Sequence, residues 1–254
     1  MIDIHSHILP GVDDGSQNME DSLQMAAMAA GSGSRAIIAT PHSNQEGRFE
    51  NFYTPQLAER FRMLRSEVSR AGIPLTVYPG MEIFASDDIE EKILSGRLIG
   101  LNHTRYYLVE FHFDETPSGI SRCLNHIFRA GGIPLIAHPE RYYCVQDRPE
   151  LIYEWLQNGC LAQINKGSLF GRFGSGARQA AEILLFNGLV TCIGSDAHSP
   201  WRRTTHMRDT LSYLYDQLGE EITWLITEEN PSRILKGLPI PVRGRDPRES
   251  RYLI

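Results

Sequence analysis

No Cys-x-x-Cys pair occurs among the four cysteines, Cys123, Cys144, Cys160 and Cys192, so neither a paired-thiolate metal cage nor a dithiol redox couple is written into the chain. Cysteines scattered in this way read as small buried hydrophobes of a reducing compartment. No apolar run approaches the ~20 residues that span a bilayer. Asp3, His5 and His7 stand where a secretory leader would carry its basic start and apolar stretch. The expectation is a cytoplasmic chain without membrane insertion. Positive charge does not prevail either: 25 Lys and Arg against 31 Asp and Glu leave a net charge of −6, the wrong sign for a general nucleic-acid surface. Internal repeats, low-complexity tracts and linkers are absent. The 254 residues therefore predict one domain over 1–254, with the charged, Pro- and Gly-bearing 243–254 as a loosely held tail.

What is present is an ordinary globular composition, 41% apolar and 22% charged, arranged as short apolar runs alternating with amphipathic stretches. That is the pattern of βα units around a parallel sheet. Seven strands are expected: 2–5, 36–40, 75–78, 107–111, 133–137, 161–164 and 190–193. Between them, Thr54-Pro55 opens a helix whose Leu57, Phe61, Leu64 and Val68 share a face and which Gly72 stops. Asn18 and Asp21 open another, with Met19, Leu23, Ala26 and Ala30 on one face and Gly31 at its end.

The carboxyl ends of these strands carry the chemistry. They read His5-Ser6-His7, Thr40-Pro41-His42, Gly80-Met81-Glu82, Glu110, His138-Pro139-Glu140-Arg141, Asn165-Lys166 and Ser195-Asp196-Ala197-His198. In a closed or nearly closed βα barrel all of them face one rim, where such barrels build active sites. Residues at i and i+2 of an extended segment point the same way, so His5 with His7, and Asp196 with His198, can each grip one ion. With His42, Glu82, Glu110, His138 and one of Asp13 or Asp14, the set exceeds what a single ion needs and implies two or three. Nitrogen and oxygen donors without thiolate favour manganese, iron or zinc. A hydroxide held between such ions is a nucleophile at neutral pH, and the ions neutralise charge on a phosphoryl oxygen. Cys123 and Arg129 match the Cys-x5-Arg spacing of cysteine-dependent phosphatases. The bulky, helix-patterned residues between them cannot curl backbone N–H groups around a phosphate, so the match is read as chance.

Taken together, Asp3-Ile4-His5-Ser6-His7, Ala39-Thr40-Pro41-His42, Gly80-Met81-Glu82, Val109-Glu110-Phe111, Ala137-His138-Pro139-Glu140-Arg141 and Gly194-Ser195-Asp196-Ala197-His198 resemble the polymerase-and-histidinol-phosphatase (PHP) superfamily of metallohydrolases. Leu9-Pro10-Gly11-Val12-Asp13-Asp14-Gly15 and Glu229-Asn230-Pro231-Ser232-Arg233-Ile234-Leu235 narrow the resemblance to the bacterial manganese-dependent protein-tyrosine phosphatases of capsule and exopolysaccharide clusters, the CpsB/YwqE type. The resemblance covers essentially the whole chain. It implies an α/β fold, a distorted seven-stranded (β/α) TIM-like barrel, and a three-ion centre of Mn2+, with Fe or Zn as alternatives. By matching motif, His5, His7, Glu82 and Asp196 hold one ion and Glu82, Glu110 and His138 a second. Asp14, His42 and His198 hold the third, Asp14 being the aspartate of the turn that has this role in the family. Arg141 and an arginine after the Asp196 motif clamp the phosphate; the match favours Arg203, with adjacent Arg202 as the other register. Trp201 between that motif and the arginines departs from relatives.

The implied reaction is direct attack of a metal-bridging hydroxide on phosphotyrosine, and the implied partner is a phosphotyrosine-bearing protein, an autophosphorylating bacterial tyrosine kinase of polysaccharide export. Other readings are a PHP phosphatase of a small ester such as histidinol phosphate, and a non-catalytic binding partner in polysaccharide assembly. A nuclease is disfavoured by the acidic balance. His103, His112, His126 and His206 are read as ordinary polar residues. Asp3 reads as the orienter of a histidine or as a surface group, Glu140 as a supporting or exposed turn residue, and Lys166 as a phosphate neighbour or a rim residue. Arg48 reads as a solvated surface residue or a lateral helper.

Overall fold

Strands covered on both faces need apolar side chains at nearly every position, and the Ile-, Ala- and Leu-rich segments of this chain meet that demand. The computed structural model describes residues 1–249; 250–254, the end of the expected tail, lie outside the described residues. The order is β1 (Ile2–Ser6), α1 (Met19–Gly31), β2 (Ala36–Ala39), β3 (His42–Ser43), α2 (Pro55–Arg70), β4 (Thr76–Pro79), β5 (Glu82–Phe84), α3 (Ile89–Leu94), β6 (Tyr106–Glu110), α4 (Pro117–Arg129), β7 (Ile133–Ala137), α5 (Tyr143–Asp147), α6 (Glu150–Gln157), β8 (Leu161–Asn165), α7 (Lys166–Leu169), α8 (Ser175–Phe186), β9 (Cys192–Gly194), α9 (Arg208–Trp224) and α10 (Asn230–Leu235). Every strand pairing is parallel, in the orders β1-β2-β4 and β3-β5-β6-β7-β8-β9. None of the described helices is long and apolar enough to cross a membrane.

The result is a curled parallel sheet with helices outside. Ile2, Ile38, Leu108, Leu135 and Leu161 share one buried cluster. Neighbours of opposite parity, such as Ile37, Val109, Ile136 and Ile164, join a second cluster with helix residues including Leu57, Phe61, Leu64 and Val68. That α2 face matches the expected one, and Thr54 caps the helix through a hydrogen bond from the Leu57 amide. On α1 the buried face is rotated to Ser22, Met25, Ala26 and Ala29, because the Ser22 hydroxyl reaches the Ile8 carbonyl at 2.7 Å and turns that side inward.

Two of the seven expected strands, 36–40 and 75–78, are each followed by a further short strand, and the interruption makes two sheets. Pro41 lacks an N–H, as does Pro79, which stands opposite Ala39 in the ladder, so pairing stops there. Beyond the break the chain resumes as β3 and β5, two short strands the sequence pattern does not announce, which place His42 directly beside Glu82. On the other side, β1 meets the end of β9 through a Ser6–Ala197 bridge. Bonds from the Asp196 amide to the His5 carbonyl (2.9 Å) and from the His7 amide to the Ala197 carbonyl (2.8 Å) fasten it. Within the described part of the tail, Pro247 is buried, the Arg245 amide bonds the Asn187 carbonyl at 2.9 Å, and Arg248 pairs with Glu154 at 3.5 Å.

Asp3 is neither a surface group nor an orienter of an imidazole. It is fully buried, and its Oδ1 accepts the Ser195 amide at 2.9 Å and the His5 amide at 3.3 Å, tying β1 to the segment after β9. Asp3→Ala strands a buried N–H at a cost of about 1–3 kcal/mol. It is expected to lower the melting temperature by about 3–10 °C at this chain length, read by calorimetry; an unchanged midpoint would contradict the anchoring role.

Candidate metal centre

The two leading histidines reach the interior through an irregularity in β1. Asp3 pairs with Ile37 and Ser6 with Ala39, three steps on β1 against two on β2. The extra residue is a bulge, which reverses inside and outside beyond it. Upstream, Ile2 faces the inner cluster; downstream, His5 and His7 face inward. Gly194 makes room on β9: a Cβ there would lie 2.7 Å from the Cβ of His5.

Around these rings the strand ends converge. His5 Nε2 lies 3.2 Å from Glu82 and 3.7 Å from Asp196; His7 Nε2 lies 3.1 Å and 3.4 Å from the same two. His42 Nδ1 is 3.0 Å from Glu82 and 2.8 Å from Glu110, and its Nε2 is 3.5 Å from Asp14. His138 Nε2 is 2.9 Å from Glu82 and 3.9 Å from Glu110, while His198 Nε2 is 3.6 Å from Asp14. Atoms held at about 2.0–2.2 Å by one ion stand about 3.0–3.5 Å from each other, which is the spacing found here. His5 Nε2, His7 Nε2, His42 Nδ1, Glu82 Oε2 and Glu110 Oε1 are buried without a hydrogen-bond partner. Such orphans are costly in a protein interior, and together they fit a cluster of cations.

Among the described residues, three sets of side chains each bring their donor atoms within 4.8 Å of one another: His7, Asp14, His42 and His198; His5, His7 and Asp196; His42, Glu82 and Glu110. The partition differs from the one the resemblance implies. His7 belongs to two sets, His42 joins Glu82 and Glu110 as well as Asp14, and His138 falls outside the sets while touching Glu82. A neutral imidazole has one lone pair, so His42 serves one of its two sets at a time. Burial opposes charge on Glu82, yet His5 and His42 prevail and hold its carboxyl well below the usual range. Burial is likewise overcome at Asp196, chiefly by His5 and Arg203. Against burial, Glu82 lifts His42 to about 10, whereas burial and the charge of His7 push His198 down to about 2. Glu82 and Asp196 are held ionised, and His198 is held neutral.

Supporting residues hold these groups, and of them Gln163 alone was not singled out by the sequence pattern. Gln163 Oε1 sits 2.8 Å from His5 Nδ1. Asp13, the other aspartate of the turn, contacts His7 Nδ1 at 2.7 Å and accepts the His42 amide at 2.9 Å. Asn165 donates to Asp196 Oδ2. Gln163 was detectable as a lone amide inside an otherwise apolar strand. His138, Asp196 and Arg203 all take left-handed backbone conformations (φ 35°, 48° and 54°), the strain that clusters at functional sites.

Arg203 pairs with Asp196 Oδ2, and Arg141 Nη1 lies 3.6 Å from the same oxygen. Both line a cavity of about 240 Å³ together with Asp14, Glu110 and His138. Arg202 does not: it is exposed, and its backbone is engaged by the Ser199 hydroxyl in a tight loop. Arg48 also lines the cavity, 3.4 Å from Asp14, as does His112. His206 lines a neighbouring cavity, His126 pairs with Glu90, and His103 meets Tyr53. Glu140 is buried, accepting the Asn165 amide and the Ser168 hydroxyl. Lys166, pushed down to about 8 by burial, donates to the Thr204 and His206 carbonyls and so fastens the segment that carries Arg203. Cys123 lies on α4 with its thiol pushed up to about 12 by burial, and Arg129 pairs with Glu90; no phosphate loop exists there.

Comparison with known proteins follows the same lines. Residues 1–236 match the family model described as capsular polysaccharide synthesis, CpsB/CapC. The chain is 36% identical over 250 residues to the tyrosine-protein phosphatase YwqE of Bacillus subtilis (strain 168), covering 96% of this chain and 98% of the relative. It is 31% identical over 242 residues to the tyrosine-protein phosphatase CpsB of Streptococcus pneumoniae, covering 92% and 98%. A structure from the work on YwqE of Bacillus subtilis and CpsB of Streptococcus pneumoniae, described as unique metal-dependent tyrosine phosphatases, superposes with a TM-score of 0.87 at 35% identity, covering 96% of this chain and 99% of that one.

Gln163→Leu removes the partner of the His5 ring and is expected to weaken divalent-cation binding about 10- to 100-fold. Titration calorimetry on chelator-stripped protein reads this, and wild-type affinity would show that the ring is fixed by other contacts.

Proposed function

Because the chain belongs to the CpsB/CapC family of capsular polysaccharide synthesis, we propose that it is a metal-dependent protein-tyrosine phosphatase, a phosphoric monoester hydrolase working at the rim described above. The observation that carries this reading is Asp196, whose Oδ1 faces His5, His7 and His198 while its Oδ2 faces Arg203 and Arg141. One carboxylate thus joins a candidate cation-binding cluster to a pair of guanidiniums. The strand pairings, read as one circuit with β2/β3 and β4/β5 as interrupted strands, support a distorted seven-stranded barrel forming one domain.

His5, His7, Glu82 and Asp196 would hold one ion, Glu82, Glu110 and His138 a second, and Asp14, His42 and His198 a third. Donors that are all nitrogen and oxygen suit manganese, with iron or zinc as alternatives. Divalent ions there supply a nucleophile from water at neutral pH and neutralise phosphoryl charge. The protein's own part is positional. Glu82 and Asp196 stay ionised, Gln163 and Asp13 fix the rings of His5 and His7, and the bulge in β1 aims both inward. Arg141 and Arg203 face each other across Asp196, and a phosphate dianion between them accepts paired N–H donors and relieves their mutual repulsion. Phe84 and Phe113 line the same cavity and offer apolar faces to a phenyl ring. A phenol, with a pKa of about 10, leaves with little protonation, so the reaction does not depend on a strong general acid. The substrate we favour is a phosphotyrosine segment of an autophosphorylating kinase of polysaccharide export, met in the cytoplasm where the kinase finds its nucleotide.

Loaded with manganese, the chain is expected to hydrolyse a phosphotyrosine peptide in preference to histidinol phosphate, and a strong preference for the small alcohol ester would sink the protein substrate. Arg203→Ala should cost about 10- to 100-fold in kcat/KM, the worth of one or two charge-assisted bonds, while Arg202→Ala stays within about twofold of wild type. Cys123→Ser should retain full activity, since a thiol raised to about 12 by burial is protonated throughout the assay range; loss of turnover in Cys123→Ser at unchanged stability would reopen the thiol route.

A further inference from the structure

Arg141 has little to hold it by charge. Its nearest approach to Asp196, 3.6 Å, is longer than a hydrogen bond. Its guanidinium carbon instead lies over two phenyl rings, 4.4 Å from the centre of Phe113 and 4.3 Å from that of Phe173. Phe173 also stands 5.6 Å from the guanidinium of Arg203, so one ring touches both phosphate-facing arginines. Neither phenylalanine belongs to a strand. Phe113 follows β6 and is pinned by the Tyr143 amide, which bonds its carbonyl at 2.8 Å. Phe173 lies between α7 and α8, and its ring fills the space left by a glycine: a Cβ at Gly167 would come within 2.9 Å of its Cε2.

We infer that Phe113 and Phe173 are positioning residues that hold the Arg141 guanidinium flat, with its N–H donors left free for the phosphoryl oxygens; this rests on the phosphatase reading. A carboxylate clamp could hold the arginine equally well, but it would occupy those donors and place a negative charge against the incoming dianion. An aromatic face attracts the cation through its ring quadrupole and takes up no donor. Phe173, contacting both arginines, sets their separation, and Gly167 is the condition for its seat.

The test uses the full chain loaded with manganese and measures binding of inorganic phosphate by calorimetry, beside kcat and KM for para-nitrophenyl phosphate. Phe173→Leu and Phe113→Leu should each weaken phosphate binding about three- to tenfold, the range of a partly desolvated cation–π contact. Melting temperatures should stay near wild type, and Phe173→Tyr should recover affinity to within about twofold. In an Arg141→Ala background the loss from Phe113→Leu should vanish, because groups acting through a shared partner are not additive. Unchanged phosphate affinity in both leucine variants, or an equal loss from Phe113→Leu with and without Arg141, would overturn the inference. Wild-type protein that binds phosphate with this aromatic dependence yet leaves a phosphotyrosine peptide intact would refute the substrate and leave the arginine stacking standing.

Discussion

Everything in this structure answers to the burial of charge. Glu82 and Asp196 are withdrawn from water in the midst of five imidazoles, and taking such groups out of solvent costs several kcal/mol each unless they are paired or coordinated. Within the protein the pairing is incomplete, because nitrogens and oxygens about 3 Å apart point at shared spaces and leave buried lone pairs unused. A cluster of divalent cations would complete the arrangement. The same electrostatics explain why the arginines gather at the outer oxygen of Asp196: the carboxylate screens the two guanidiniums from one another.

The fold exists to make that convergence possible. Residues from positions 5 to 198 must arrive at one rim, and a parallel sheet curled until β1 meets the end of β9 brings them there without long loops. Local irregularities supply the aim. The bulge in β1 turns His5 and His7 inward, the proline-marked breaks restart β3 and β5 with His42 beside Glu82, and left-handed backbone at His138 and Asp196 lifts those side chains off their strands. Asp3 fastens the seam at the most sensitive point.

Much of this was legible in the residue order. Strand ends carrying His5-Ser6-His7, Glu110, His138 and Asp196-Ala197-His198 announce a shared rim, because the period of a parallel βα array puts every such end on one side. The α2 face was legible for the same reason of period. What stayed hidden depends on partners distant in sequence. The bulge is a mismatch between two strands, and neither strand alone records it. The loss of pairing at Pro41 needs Pro79 across the ladder. Asp3 reads as an orienter of a histidine or as a surface group until its acceptor role toward Ser195 is seen, 192 residues away. Arg202 and Arg203 are indistinguishable by type, and only the turn made by Ser199 decides which one enters the cavity. Phe113 and Phe173 come from separate loops whose meeting over Arg141 no periodicity encodes.

The central claim is that the imidazole and carboxylate cluster is a multi-cation centre on which phosphate chemistry depends. Elemental analysis of the full chain purified without chelator, counting ions per polypeptide, tests it most directly. Two to three divalent ions per chain, lost together with turnover on dialysis against chelator and regained together on adding manganese, is the predicted result. A chain that carries less than one ion and still cleaves phosphotyrosine in chelator would contradict it.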